Sequence, residues 1–355
     1  MILNNKKDFD KIPSIFKNVD FSSAVSVEIN ALNQVKVKEG DCVVVEVLET
    51  ENKRAYIESI NGDISVATEG DILPVVLGYR KATLEFAGVV TDSISSDDIL
   101  YLLGSAGVAG KVTGIFPEWG NPMPIKVLGI ITNNDGKILN LFDFTLPKIP
   151  IQSNPAATIA LIGTGMETGK TTMACNIIRA FSETGKKVVA GKLTGFAFLE
   201  ELILFQNAGA QSVLDFVDMG FPSTCGNDIN NIISSSLNII NHFQANQPDL
   251  IVLEFGDGLI GSYHVLDILK YLKQHQMIDI HILSASDLCG IQGAKSVLSG
   301  LGIEIDLVTG VIANSQMGID LIQEHFSLPA ESNQDNIKQL YKLINNKMKN
   351  LKNYG

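Results

Sequence analysis

The chain has 355 residues, 45% of them hydrophobic and 19% charged, with a formal net charge of −12 and a mean hydropathy of +0.20. That length is more than one core usually organises, and that apolar share argues against a disordered chain. The acid excess disfavours nucleic acid or an anionic membrane as the main partner, but leaves room for a local basic phosphate site.

The opening stretch, "MILNNKKDFDKIPSIF", lacks an apolar core of signal-peptide length, and no run approaches the ~18 apolar residues needed to span a bilayer. The expectation is a soluble, cytoplasmic protein. Cys42, Cys175, Cys225 and Cys289 lie far apart with no C-x-x-C pair, and read as reduced, buried thiols.

Up to about residue 147 the apolar stretches are short and alternating: "CVVVEVLE", "RAYIESI", "ILPVVLGY", "ATLEFAGVV", "IKVLGIIT" and "ILNLFDF". Turn signals such as "KEGD", "INGD", "TEGD" and "NNDG" separate them. Period-two strands between Gly and Asp turns predict an antiparallel β domain, a small barrel or sandwich, over 1–150. Within it, "SSDDILYLLGSAG" predicts one short helix capped by Ser95 or Ser96. "TLPKIPIQSNPAA", with three prolines, then reads as a linker.

From 151 to 355 the rhythm becomes strand, loop, helix. "TIALIG" leads to a helix at "TTMACNIIRAFSETG", and "KKVVAGKL", "DLIVLEF", "DIHILSAS" and "DLVTGVIA" read as buried strands followed by helical stretches. This predicts an α/β domain, a mostly parallel P-loop-type sheet with helices on both faces. The lysine-rich tail "NQDNIKQLYKLINNKMKNLKNYG" predicts an amphipathic helix at the solvated surface.

The chemistry concentrates in "ALIGTGMETGKTT". A strand, a glycine turn and a helix start in that order form the context of a phosphate-binding loop. Its candidate nucleotide-binding residues are Gly163, Thr164, Gly165, Met166, Glu167, Thr168, Gly169, Lys170, Thr171 and Thr172. Gly169 lets the backbone approach a phosphate, Lys170 can set its ammonium against the β- and γ-phosphates, and the Thr171 hydroxyl can bind Mg²⁺. In the commonest motif the first glycine would fall on Thr164; here Gly163 stands one residue earlier.

That G-T-x4-G-K-T form resembles dethiobiotin synthetase, the cobyrinic acid a,c-diamide synthases and MobB-type proteins, over roughly residues 156 to 330. The resemblance implies a second substrate lysine at Lys192 in "AGKLTG", a metal-linked glutamate at Glu254 in "IVLEFGDG", and an adenine-contacting asparagine at Asn314 in "GVIAN". Phe255 and Asp257 replace small residues of the family pattern. The chain also looks like a group of two-domain bacterial proteins, one branch of which is described as acylating D-glutamate.

Each candidate has a plainer reading. Lys192 could be a solvated lysine, but the carboxyl end of a strand is where α/β sites form. A glutamate ending an apolar strand is costly without a metal or hydrogen bonds, which favours Mg²⁺ at Glu254. Asp257 stands among the catalytic candidates and equally as a turn-former in "GDG". Glu200 and Glu201 could add a metal contact or face water. Asp215, Asp218, Cys225, His264 and His281 read as structural.

No N-K-x-D stretch supports guanine, and Gly165 stands where partition-type ATPases place a further lysine. The expectation is an ATP- and Mg²⁺-dependent ligase that activates a carboxylate or carbamate by phosphoryl transfer, with Lys170, Lys192 and Asp257 as catalytic candidates and Thr171 and Glu254 at the metal. An acetyl-CoA-dependent N-acyltransferase acting on an amino acid, and a nucleotide-gated binding protein, stand as alternatives. The expected partners are a small-molecule substrate, an amino acid among the candidates, and a second copy in a homodimer; no nucleic acid and no membrane.

Overall fold

The computed structural model describes residues 2–3, 9–21, 26–28, 33–48, 55–150, 156–226, 228–334 and 337–354. The second part of the predicted linker, 151–155, lies outside them. The chain divides into two compact units, one of 1–147, 196–200 and 216–227, the other of 148–195, 201–215 and 228–355.

In the second unit, five strands are buried at every position, as an unbroken apolar run requires when both faces are covered. They are β1 (Ala157–Gly163), β2 (Val188–Thr194), β4 (Leu250–Phe255), β5 (Ile280–Ser284) and β6 (Leu307–Thr309). The half-buried β3 (Ser212–Asp215) forms one edge. All six are parallel, in the order β3-β2-β4-β1-β5-β6. The helices are α1 (Lys170–Ser182), α2 (Glu200–Asn207), α3 (Ile229–Ala245), α4 (Val265–Gln274), α5 (Leu288–Gly300), α6 (Gln316–Phe326) and α7 (Lys338–Tyr354). β1 and β4 are neighbours although two strands separate them in sequence, so the chain crosses over around them. Ligand crevices open at the carboxyl ends of such strands.

The tail is less solvated than its composition suggests. Leu340, Ile344 and Met348, four residues apart, are buried along one face of α7. Tyr341 stacks on Phe181 of α1 with ring centroids 4.7 Å apart. The Glu331 carboxylate accepts from the backbone N–H groups of Gln339 and Leu340 at 2.9 and 2.8 Å, holding the start of the helix.

The first unit is a β structure in which five strands close on themselves. Pro124–Thr132 pairs with Cys42–Val47, which pairs with Ile72–Leu77. That strand runs parallel to Val108–Ile115, and Ile99–Leu102 bridges from there back to Pro124–Thr132. The remaining pairings are antiparallel, so a small barrel is formed around Val43, Val45, Leu73, Val75, Ile125 and Val127.

The expected helix at "SSDDILYLLGSAG" is instead the bridging strand. Leu100 and Leu102 are buried, Ile99 is exposed and Tyr101 half-buried, a period of two that barrel closure favours over the helical reading. Ser95 caps no helix; its N–H donates to Asp98 Oδ2 at 2.7 Å in the turn before the strand. Residues 196–200 and 216–227 belong to this unit through specific bonds. Glu58, 1% exposed, accepts from the N–H groups of Leu199 and Glu200 and from the Ser14 hydroxyl. Asp218 accepts from Lys17 Nζ at 3.1 Å and Asn18 Nδ2 at 2.8 Å.

Burial pushes the Glu39 carboxyl up from its ordinary 4.5 to about 7. Its Oε1 has no hydrogen-bond partner among the described residues. The folded state therefore holds a proton that the unfolded chain releases between those two values, and this group's contribution to stability falls as pH rises from 4.5 through about 7. Glu39→Gln is expected to raise the melting temperature by a few degrees (about 2–6 °C) at pH 8 and by much less at pH 5, in thermal unfolding followed by circular dichroism. An equal shift at both pH values contradicts this reading.

Candidate functional site

The end of β1 turns into the glycine loop, and the turn into α1 needs a residue suited to positive φ, which Gly169 supplies. Gly169, at φ 98°, hands the chain into α1, while Glu167 takes φ 57°. Non-glycine residues avoid such angles, so the turn is specific rather than incidental. It is braced from two sides. Thr164 N–H donates to Ser284 O at 3.0 Å, and Ser284 Oγ donates to Thr168 O at 2.7 Å, tying the loop to the end of β5. Leu259 N–H donates to Gly163 O at 2.8 Å, and the Gly258 Cα lies where a side chain would press on Gly165.

An ideal Cβ on Gly169 runs into the Asn333 carboxamide, whose Nδ2 donates to Gly169 O at 3.3 Å. Gly169→Ala therefore suffers both the left-handed backbone and a clash. It is expected to lower the melting temperature by about 2–8 °C and to abolish nucleotide binding. A variant that binds nucleotide like the wild type contradicts the role given to this turn.

Lys170 begins α1, is buried, and donates from Nζ to Gly165 O at 2.8 Å, so its ammonium lies across the loop. Burial pulls its pKa down, opposed by the nearby Glu254 charge and assisted by Lys192. Thr171 Oγ1 donates to Glu254 Oε1 at 3.0 Å. Glu254 is 1% exposed, and its Oε2 has no hydrogen-bond partner among the described residues. Burial pushes this carboxyl up to about 7, with Glu201 adding to the rise and Lys170, Lys192 and Thr171 opposing it.

Lys192 stands directly beside Glu254 in the β2–β4 register. It is 4% exposed, and its ammonium meets Glu201 Oε2. Its stem runs between two glycines: an ideal Cβ on Gly195 would lie 3.0 Å, and one on Gly256 2.8 Å, from Lys192 Cε. The result is a buried cluster of two lysines and two glutamates at the carboxyl ends of β2 and β4, next to the loop.

Asp257 takes φ 68° in the turn that follows β4, with its carboxylate facing Gly261. Met166, Glu167 and Thr172 belong to the same loop and helix start. Asn314 ends a short helical turn, Val311–Asn314, whose first N–H donates to Thr168 O at 3.3 Å. Its Oδ1 accepts from Ser332 Oγ at 3.1 Å and Asn333 N–H at 3.3 Å. Asn314 is thus connected to the loop through Asn333 as well as through its own turn.

Among the other candidates, Cys225 is buried, hydrogen-bonded to Ser223 at 3.1 Å, and pushed up to about 11 by burial, so it is no ready nucleophile. His281 is lowered to about 4 by burial and stays neutral. His264 Nδ1 lies 3.1 Å from Asp267 Oδ2 at the start of α4.

Mg²⁺ takes oxygen ligands and keeps several from water and phosphate. The Thr171 hydroxyl and the unpartnered Glu254 oxygen fit that need. No group of three or more His, Cys, Asp or Glu side chains gathers as a self-sufficient metal site among the described residues, which a metal completed by phosphates does not require.

Ser284 and Asn333 were not singled out in the sequence. Ser284 carries the same signal as Glu254, a polar residue closing a buried strand; Asn333 sits outside any motif and meets the loop only through the fold.

A parallel sheet with this strand order, a glycine loop between β1 and α1, and a lysine and threonine opening that helix define a P-loop NTPase fold, a nucleotide-binding class. No protein-family model matches the chain, and no curated protein matches it in sequence. Solved structures similar over about half of it include the signal recognition particle receptor FtsY of Elizabethkingia anophelis in complex with GDP, at 16% identity and TM-score 0.39 over 51% of this chain and 58% of that one. Another is the cell division protein ftsY of Thermotoga maritima, at 17% identity and TM-score 0.38 over 54% of this chain and 66% of that one. A third is FtsY of Mycoplasma mycoides, at 19% and 0.36 over 52% and 61%. The match thus takes in less than two thirds of each FtsY chain. No helix among the described residues is long and apolar enough to cross a membrane.

Proposed function

We propose that the P-loop unit binds a Mg²⁺–nucleoside triphosphate, ATP by the absence of an N-K-x-D stretch, and transfers its γ-phosphoryl group to a carboxylate or carbamate of a small acceptor. The observation that carries this reading is the 3.0 Å bond from Thr171 to Glu254 together with the second, unpartnered oxygen of that buried carboxylate. An orphaned buried carboxylate oxygen costs the fold stability, and a cation at this place offsets the cost.

Mg²⁺, held by Thr171 and Glu254 when bound, neutralises phosphate charge and orients the triphosphate. The chain supplies the rest. Lys170 leaves the Gly165 carbonyl for the β- and γ-phosphates, and Lys192 faces the acceptor oxygen and the group in flight. The acceptor oxygen bonds to the γ-phosphorus as the bond from that phosphorus to the β,γ-bridging oxygen breaks. ADP leaves with that electron pair, and the acyl phosphate is open to an amine, which expels inorganic phosphate. No protein nucleophile is needed; positioning and charge carry the rate.

The test is phosphate release from ATP with an acceptor panel, with and without Mg²⁺. The expected result is metal-dependent, acceptor-stimulated release that Lys170→Ala lowers by at least about 100-fold. Acyl transfer from acetyl-CoA without ATP turnover would overturn the reading.

A further inference from the structure

The barrel unit has a cleft of about 540 Å³ that plays no part in the function proposed above. Three lysines line it: Lys36, Lys38 and Lys137. In a chain with 39 acidic and 27 basic side chains, such a grouping runs against the overall charge. None of the three ammonium groups is in an ion pair among the described residues, whereas Lys126 of the same barrel pairs with Glu46. Like charges gathered in one cleft repel each other, and an anionic ligand relieves that repulsion.

The backbone sets each lysine in place. Val35–Lys36 pairs antiparallel with Ser93–Ile94, and Val37 N–H donates to Asp92 O at 3.1 Å. Along this extended run Lys36 and Lys38 are exposed, while Val37 between them packs on the barrel core. Lys137 ends the turn that follows Pro124–Thr132. There Asn133 Oδ1 accepts from the N–H groups of Asp135 and Lys137, both at 3.0 Å, and Gly136 takes φ 70°. Two carboxylates also line the cleft, and both are occupied. Asp41, 4% exposed, accepts from Asn140 Nδ2 and Lys38 N–H, each at 2.8 Å. Asp143 Oδ2 accepts from Asn140 N–H at 3.0 Å. The three ammonium groups are thus left for an incoming anion.

The donor set favours phosphate. Lysine is a compact point charge that suits a tetrahedral, multiply charged phosphoryl group, whereas the planar carboxylate matches the fork of arginine, and no arginine lines the cleft. The volume falls in the range of sites for small organic ligands, and Val37 and Ile138 add apolar surface to the lining. A concave site in a chain of net charge −12 does not suit a long polyanion such as nucleic acid. We infer that the barrel unit binds a small organic phosphate in this cleft, with the phosphoryl group on Lys36, Lys38 and Lys137 and the organic body on Val37 and Ile138.

The experiment is isothermal titration calorimetry of the full chain with ribose 5-phosphate, glycerol 3-phosphate, inorganic phosphate and citrate, and with plain ribose and glycerol. At least one of the two esters is expected to bind with a Kd of about 1 mM or tighter, at least about tenfold better than inorganic phosphate or citrate, with no signal from ribose or glycerol. The Lys36→Gln/Lys38→Gln/Lys137→Gln variant is expected to weaken that binding at least about 30-fold while melting within about 2 °C of the wild type. Lys137→Gln alone, in the exposed turn, weakens it about threefold or more. The signal persists in Lys170→Ala, which disables the phosphate loop. Binding by neither ester, tighter binding of citrate, parity between esters and inorganic phosphate, or a signal lost in Lys170→Ala but kept in the lysine variants overturns the inference and leaves the nucleotide site standing.

Discussion

Glu254→Gln is expected to lower metal-dependent nucleotide turnover by about 10²–10³-fold or more while leaving the ligand-free fold as stable as the wild type, or more so. The two outcomes share one cause. Glu254 is buried, receives one hydrogen bond from Thr171, and has a second oxygen with no partner among the described residues. A carboxylate kept for stability would be the opposite case: breaking its bonds would cost about 3–5 kcal/mol. Glutamine keeps the shape and the Thr171 contact but brings a weaker ligand for Mg²⁺ and no charge. Turnover and thermal melting of the same preparation decide the matter. A large loss of stability with partial activity would assign Glu254 to the fold.

Lys192→Ala is the second large effect. Turnover is expected to fall by about 10²–10³-fold, with ATP affinity within about threefold of the wild type, because the proposed function gives the acceptor to this lysine and the phosphates to Lys170. The fold tolerates the change: Glu201 is partly exposed and can turn to water once its partner is gone. Lys192→Arg is not expected to restore activity. The stem passes close to Gly195 and Gly256, and a forked, planar guanidinium does not reproduce a compact point charge at the end of a slim chain. Full activity in either variant would remove Lys192 from the chemistry.

The phosphate loop could be read from the sequence because its information is local. Gly169, Lys170 and Thr171 are consecutive, and an apolar strand before them and a helix after them suffice to place them. Glu254 and Lys192 were visible for a related reason: a charged residue closing an apolar run is conspicuous whatever surrounds it. The Lys192–Glu201 pair was only half visible. Glu201 is nine residues from Lys192 and sits on a helix where glutamate is ordinary, so only the fold reveals which of Glu200 and Glu201 turns inward. Glu58 was hidden more deeply, since its partners Leu199 and Glu200 lie about 140 positions on. The stretch at Ile99–Leu102 was misread because its leucines fit a helix as well as a strand until barrel closure decides between them. The tail helix had the right period, but its lysines masked a face that packs through Leu340, Ile344 and Met348.

The measurement closest to the central claim is a crystal structure with Mg²⁺ and a non-hydrolysable ATP analogue. The prediction is a triphosphate lying on residues 164–172, with the Thr171 hydroxyl about 2.1 Å from the metal and Glu254 bound to it directly or through one water. Lys170 should have left the Gly165 carbonyl for the phosphates. A triphosphate bound elsewhere, or a filled loop with Glu254 still bonded only to Thr171 and no metal beside it, would contradict the account.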